Sequence, residues 1–331
     1  MIRLKIYWYL GHEEFQPEKL VEHAKLAEAA GFDGLLVSEH FHPWVDDLGA
    51  GGFAFSTLGA VAAVTEKISL MTAVTTPLWR FHPAVVAQAA ATIDRLSKGR
   101  FALGVGTGVN LNEGSLGYDF GTYKERAARM REAIHIMTEL LAGKKLDYDG
   151  TYYQTKAAKL YSPPLGRVPI YLAAGAPKSA AMAGEIADGV IASVKDEADT
   201  LSKVIEPAQE AATEAARPRP TIIAMHWTIR GGSDEEAIRA LRPWRGLRAP
   251  SKITAVDPAV LREEADDMDP NDVLAQYEVV NTADDYARAY GRVVTSLQPN
   301  ILGIQTTSRD QAETIAMIGS QVLPELRRLS K

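Results

Sequence analysis

The chain has 331 residues, 46% of them hydrophobic and 24% charged, which is the composition of an ordinary globular protein with room for a large core. A net charge of −6, with no basic run interleaved with aromatics, argues against a nucleic-acid partner, and no apolar run reaches bilayer-spanning length. With no cysteine there is no disulfide framework, thiolate nucleophile or cysteine metal site. The opening Met1–Ile6 runs directly into a strand without a secretory h-region, so a cytoplasmic location is expected.

In chain order, short apolar strands alternate with longer amphipathic helices. Leu4–Trp8 predicts a strand, and Pro17–Gly31 a helix with Pro17 early and Gly31 as its C-cap. Further strands are expected at Leu35–Ser38, Ser69–Val74, Ala102–Gly106, Ile170–Ala174, Gly189–Ser193, Thr221–Thr228 and Asn300–Gln305. Helices fall between them at Ala54–Thr65, Pro83–Leu96, Tyr123–Ala142, Pro177–Ile186, Thr200–Ala216 and Asp234–Arg242, and then at Thr282–Thr295 and Asp310–Leu329. Eight strands, each followed by helix, predict an α/β fold of the (β/α)8 TIM-barrel type, one domain over 1–331. The competing doubly wound sheet lacks a G-x-G-x-x-G turn after its first strand. Insertions are expected at 41–52, 109–123, 147–167 and 245–277, most of them over the C-terminal face.

Chemistry-bearing residues gather at the strand ends. Ser38-Glu39-His40-Phe41-His42-Pro43-Trp44 follows the second strand. A histidine beside a carboxylate and a tryptophan there suits a general base or a ligand contact. Trp44 can plug the barrel mouth or donate its indole N–H to a substrate oxygen. Glu39 can serve a backbone amide or accept from cofactor hydroxyls. His40 and His42 have no third ligand at familiar spacing, so no metal site is expected. Gly104–Glu113 adds a glycine-rich loop after the fourth strand. Ala173–Pro177 opens a helix with small side chains that bare backbone N–H groups for an anion. Lys195 and Lys252 read from spacing alone as solvated lysines.

Together these stretches resemble the luciferase-like superfamily of flavin- and deazaflavin-dependent barrels, and within it the coenzyme F420-dependent glucose-6-phosphate dehydrogenase group. The stretches that carry the resemblance are Ser38–Trp44, Phe81–Thr92, Lys98–Asn112, Asp149–Tyr153 and Val168–Pro177. The resemblance implies F420 as cofactor, with riboflavin phosphate (FMN) as the alternative, and a homodimer. It assigns His40 as the base that takes a hydroxyl proton as hydride leaves, Trp44 beside the reacting centre, and Glu13 on the pocket wall. It implies cofactor contacts at Glu39, Ala73, Val74, Thr76, Thr107, Gly108, Asn112, Ala174, Gly175, Ala176 and Ser193, with Ala73-Val74 at the place of a non-proline cis peptide. Lys195 and Lys252 align with substrate-phosphate ligands, and Tyr277 falls in the stretch that carries the third.

Two departures stand out. Val109 occupies the place of the family's acid, and Ala275-Gln276-Tyr277-Glu278 offers no arginine for the phosphate, with Glu278 set to repel a dianion. The expected function is therefore an F420-dependent dehydrogenase acting on an alcohol, sugar or carbonyl substrate, with glucose 6-phosphate doubtful. A reduced-flavin monooxygenase and a non-catalytic flavin-binding protein are the alternatives.

Overall fold

Runs of apolar, often β-branched residues that are buried on both faces form parallel strands. In the computed structural model, which describes residues 3–308 and 310–329, these runs lie at Lys5–Leu10, Gly34–Val37, Ser69–Thr72, Phe101–Val105, Ile170–Ala173, Gly189–Val194, Thr221–Arg230 and Ile301–Thr307. Neighbours in this series pair in parallel, and the last strand pairs with the first through Lys5↔Ile301 and Tyr7↔Gly303, so the sheet closes. The expected (β/α)8 barrel is the fold. No described helix is long and apolar enough to cross a membrane.

Three packed regions follow from the strand alternation. Trp8, Leu35, Leu70, Leu103 and Leu172 point outward into the layer beneath the helices. Tyr7, Leu36, Met71, Ile191, Ile223 and Ile301 fill the lumen. A separate cap core joins Trp44 and Leu111 to Ile229, Leu241, Trp244, Leu261 and Val273.

That cap is the late insertion, which sequence spacing leaves as an irregular stretch. It folds as a tight turn Arg242–Arg248 followed by helices Pro258–Asp266 and Pro270–Leu274. Both helices start on an Asp-Pro pair, with Asp257 and Asp269 accepting from the first-turn amides of Ala259 and Asn271. A short ninth strand, Glu278–Val280, extends the sheet beside Thr228–Arg230. The insertion at 147–167 holds a hairpin of Leu146–Asp149 with Gln154–Ala158. Tyr153, beside it, donates its hydroxyl to the carbonyl of Leu78 at 2.6 Å.

Two expected continuous helices are interrupted for one reason. The helix over Thr200–Ala216 starts earlier, at Glu197, and widens at Leu201–Ile205, where the Glu206 N–H reaches back to the Leu201 carbonyl. The C-terminal helix widens likewise at Ile318–Val322, where the Leu323 N–H bonds to the Ile318 carbonyl. A proline follows each wide turn, Pro207 and Pro324. Proline has no N–H and crowds the carbonyl four residues back, and a wider i→i+5 turn accommodates both.

Gly104, the first glycine of the G-x-G-x-G run, serves packing rather than a ligand. A Cβ there would sit 2.0 Å from the carbonyl oxygen of Thr72. The Thr72 hydroxyl donates to the Gly104 carbonyl and accepts from its N–H at 2.8 and 3.0 Å. Gly104→Ala should cost about 1–3 kcal/mol of stability, the usual range for overpacking, read as a lower denaturant midpoint. Gly166→Ala, where nothing lies within 4 Å of the added Cβ, should leave the midpoint unchanged.

Candidate active site

The site gathers at the C-terminal ends of the strands. Beyond the first strand, a turn presents His12, Glu13 and Glu14. His12 is buried, with Nδ1 on the Ser38 carbonyl and Nε2 on the Thr57 hydroxyl, both at 2.8 Å, and burial lowers its pKa. It therefore acts as a buttress. Glu13 is buried, accepts the Ser38 hydroxyl at Oε2, and places Oε1 3.5 Å from His40 Nε2. The Trp44 ring lies 5.2 Å from the His40 ring, tilted by 55°. His40, Glu13 and Trp44 are thus brought together, as the resemblance implies.

Asn112 is held by the loop it faces. Its Oδ1 accepts the backbone N–H groups of Phe41 and His42 at 2.9 and 3.2 Å, and its Nδ2 faces His40 Nδ1 at 3.2 Å. Two backbone donors fix the amide's orientation, so this one side chain pins the loop that carries the base. His40 Nδ1 is also 3.2 Å from the His42 carbonyl. The two Nδ1 contacts belong to different tautomers: a proton on Nδ1 donates to the His42 carbonyl and leaves Nε2 a lone pair, whereas a bare Nδ1 accepts from the Asn112 amide.

Glu39 is likewise tied down by side chains. Arg80 holds it with NH1 to Oε1 at 2.6 Å and NH2 to Oε2 at 2.9 Å, and the Thr75 hydroxyl donates to Oε2 at 2.9 Å. Both of its oxygens therefore have protein partners. Glu113, fully buried, faces the same guanidinium, with Oε1 3.7 Å from Arg80 Nε; burial raises its pKa against the pull of Arg80.

The remaining strand ends are small. The Ala73–Val74 peptide is cis, at the place the resemblance implies. A Cβ on Gly106 would meet Val74 Cγ2 at 2.6 Å, and one on Gly108, at φ +78°, would meet Thr76 Cγ2 at 2.9 Å. Thr107 is half-buried beside them. Ala174 is buried; Gly175 and Ala176 are exposed at the start of the Pro177–Ile186 helix, with Ser179 accepting the Ala176 N–H. Val109 packs against the cap core.

On the far side, a cavity of about 300 Å³ is lined by Ser193, Lys195, Trp227, Arg248, Tyr277 and Glu278, among others. Burial lowers the Lys195 pKa, and Arg248 and Lys252 lower it further; Lys252 is lowered by burial and then by Arg248. Lys195 and Arg248 thus share this wall, with Lys252 near enough to act on Lys195. Arg248 stacks on Tyr277 at 4.4 Å, and its Nε and the Tyr277 hydroxyl are buried without a hydrogen-bond partner. The stretch at 275–278 has no arginine, but a guanidinium reaches the cavity from the cap. Glu278 does not repel an anion as expected. His226 Nε2 at 3.0 Å and a two-pronged Arg292 at 3.0 and 2.8 Å neutralise it and hold it down at about 2.

Sequence spacing misses Arg80 and Arg248. Arg80 lies one residue before the informative Phe81–Thr92 stretch, and Arg248 gives no local signal because its partners are 53 and 29 residues away by number (248 − 195 and 277 − 248).

The luciferase-like monooxygenase family profile matches residues 7–297. The chain belongs to this family. Among relatives, it is 37% identical over 337 residues to the F420-dependent glucose-6-phosphate dehydrogenase of Mycolicibacterium smegmatis, covering 100% of both chains. It is 34% identical to the enzyme of the same name from Microbacterium testaceum, covering 99% of this chain and 98% of that one. Among solved structures, an F420-dependent secondary alcohol dehydrogenase in complex with an F420-acetone adduct superposes with a TM-score of 0.91 at 26% identity, covering 98% and 99% of the two chains.

The Glu278 cluster yields a pH prediction. Its folded pKa of about 2 lies below the ordinary 4.5, so its stabilisation is present above pH 4.5 and is lost as pH falls toward 2. The difference in unfolding free energy between wild type and Glu278→Gln should be largest at neutral pH and shrink below pH 4.5, as measured by denaturant titration.

Proposed function

We propose that this protein is a coenzyme F420-dependent dehydrogenase that moves hydride between the carbinol carbon of an anionic alcohol, such as a sugar phosphate, and the deazaflavin. The observation that carries this reading is the placement of a paired base, His40 with Glu13, beside a surface of small strand-end residues. The donor set fits a flat ring: Ala73, Gly106 and Ala173 offer nothing larger than a methyl group, and Val74 fills the space a Gly106 side chain would need. Thr76, Thr107, Gly108, Ala174, Gly175, Ala176 and Ser193 surround that surface. When bound, F420 accepts hydride at a ring carbon and does not supply an oxygen-reactive nitrogen.

The chain's own residues do the rest. His40 Nε2 takes the hydroxyl proton, and the resulting imidazolium is balanced by Glu13 on one nitrogen and the His42 carbonyl on the other. Asn112 keeps the ring in place, and Trp44 shields it from water. Lys195, Arg248 and Lys252 hold the anionic group, with Arg248 supplying the fork absent at 275–278. Glucose 6-phosphate is compatible with this cavity, and its use is part of the proposal.

The proposal keeps the cytoplasmic homodimer expected from the sequence. Support for a second copy comes from Phe53, Val85 and Leu96, 51–53% exposed, beside Phe55 and Phe81 between two neighbouring helices. Sedimentation should give twice the chain mass.

Fluorescence quenching with F420 and with FMN decides the cofactor: tight F420 binding and no FMN binding are expected. His40→Ala should lower turnover by about two to four orders of magnitude with F420 affinity little changed. Arg248→Ala should raise the KM for glucose 6-phosphate about tenfold or more, the scale of a lost charge-assisted hydrogen bond, and leave unphosphorylated glucose unaffected.

A further inference from the structure

The wall of the anion cavity contains a side-chain relay that the mechanism above leaves unused. Val194, Lys195, His226, Glu278 and Arg292 all line that cavity. Lys195 directly follows the strand Gly189–Val194, whose end is held from one side only. Its neighbour Ile170–Ala173 pairs with it as far as Ile191, whereas Thr221–Arg230 pairs with it through Val194↔His226. Buried backbone groups at such an overhanging end need partners from outside the ladder. The His226 ring supplies one, with Nδ1 3.1 Å from the Val194 carbonyl. A carbonyl only accepts, so Nδ1 carries the proton and donates. That carbonyl belongs to the rigid peptide plane that leads into Lys195.

The ring itself is held on every side. Nε2 faces Glu278 Oε2 at 3.0 Å, and Arg292 grips both oxygens of Glu278 at 3.0 and 2.8 Å. Tyr290 packs edge-on against the ring, with centroids 5.4 Å apart, and donates its hydroxyl to the His226 carbonyl at 3.2 Å. His226 is buried, while Lys195 stands exposed at the rim. The charges that act on Lys195, those of Arg248 and Lys252, both repel it, so its backbone is what sets its place. We propose that His226 is a positioning residue for anion binding: through the Val194 carbonyl it sets the backbone from which Lys195 reaches the substrate's anionic group, with Glu278 and Arg292 fixing its ring. This deepens the dehydrogenase reading and rests on it for the substrate, but the grip on an anion does not depend on turnover.

Calorimetric titration of the full chain with inorganic phosphate tests the relay. The amide nitrogen of asparagine lies as many bonds from Cβ as the imidazole Nδ1, and that of glutamine as many as Nε2. His226→Asn can still donate to Val194 and should hold phosphate within about threefold of wild type, whereas His226→Gln keeps only the contact with Glu278 and should weaken it about tenfold, the scale of one misplaced charge-assisted hydrogen bond. In a Lys195→Met background that difference should vanish, because the residue being positioned is gone; in an Arg248→Met background it should persist. Equal affinities for the two variants, as a purely structural role would give, a difference that survives Lys195→Met, or one abolished by Arg248→Met overturns the proposal. If His226→Gln does not fold, His226→Phe, which keeps a ring without a donor, takes its place and should show the same loss. Absence of phosphate binding to wild type overturns both the relay and the cation-cavity reading, and F420 binding still decides the cofactor.

Discussion

One guanidinium organises the mouth of this barrel. Arg80 joins Glu39 at the end of the second strand to Glu113 after the fourth, from its own place beyond the third, and Thr75 completes the set. All four are buried. A buried charge without its partner costs several kcal/mol, so the loops on either side are held to one arrangement. The arrangement passes along the chain in single steps: Glu39 fixes the neighbour of His40, and Glu113 fixes the neighbour of Asn112. His40 and the side chain that pins its loop are both one residue from a carboxylate held by the same cation.

The barrel was legible because its signals are local. Alternating apolar runs and helical spacing place all eight strands within a few residues, since both periods are written in consecutive positions. His40 and Trp44 were legible as strand-end chemistry, Glu13 only through the family resemblance, and the three lie together at the mouth. Their neighbours were not, because a side chain's role depends on what lies across the mouth. The resemblance implies cofactor contacts at Glu39 and Asn112, and nothing in sequence shows the hydrogen bonds they also make, to Arg80 and to the His40 loop. The 275–278 stretch has no arginine, but Arg248 reaches the same cavity by tertiary folding against Tyr277, and no spacing rule connects the two. The cap helices were marked by Asp257-Pro258 and Asp269-Pro270, capping signals in a stretch too short of apolar periodicity to read as helix.

The wide turns before Pro207 and Pro324 show local chemistry correcting a periodic pattern. Helical spacing predicts unbroken helices there, and a missing amide hydrogen overrides it at one point in each. The interruption is confined to that one turn, and helix resumes directly after it.

Besides the ion pairs Arg245–Asp47 and Arg262–Asp46, the cap meets the loop after the second strand at one tight backbone contact. Gly246 lies so close to Trp44 that a Cβ there would fall 2.0 Å from its carbonyl oxygen. Barrel and cap have separate cores, so the cap is free to diverge in most of its positions while the strand ends keep their chemistry. At Gly246 that freedom ends: a lineage that remodels the cap for a new substrate keeps this residue or shifts the indole beside the base. The evolutionary latitude of the enzyme is thus wide over a whole insertion and close to zero at a single hydrogen atom.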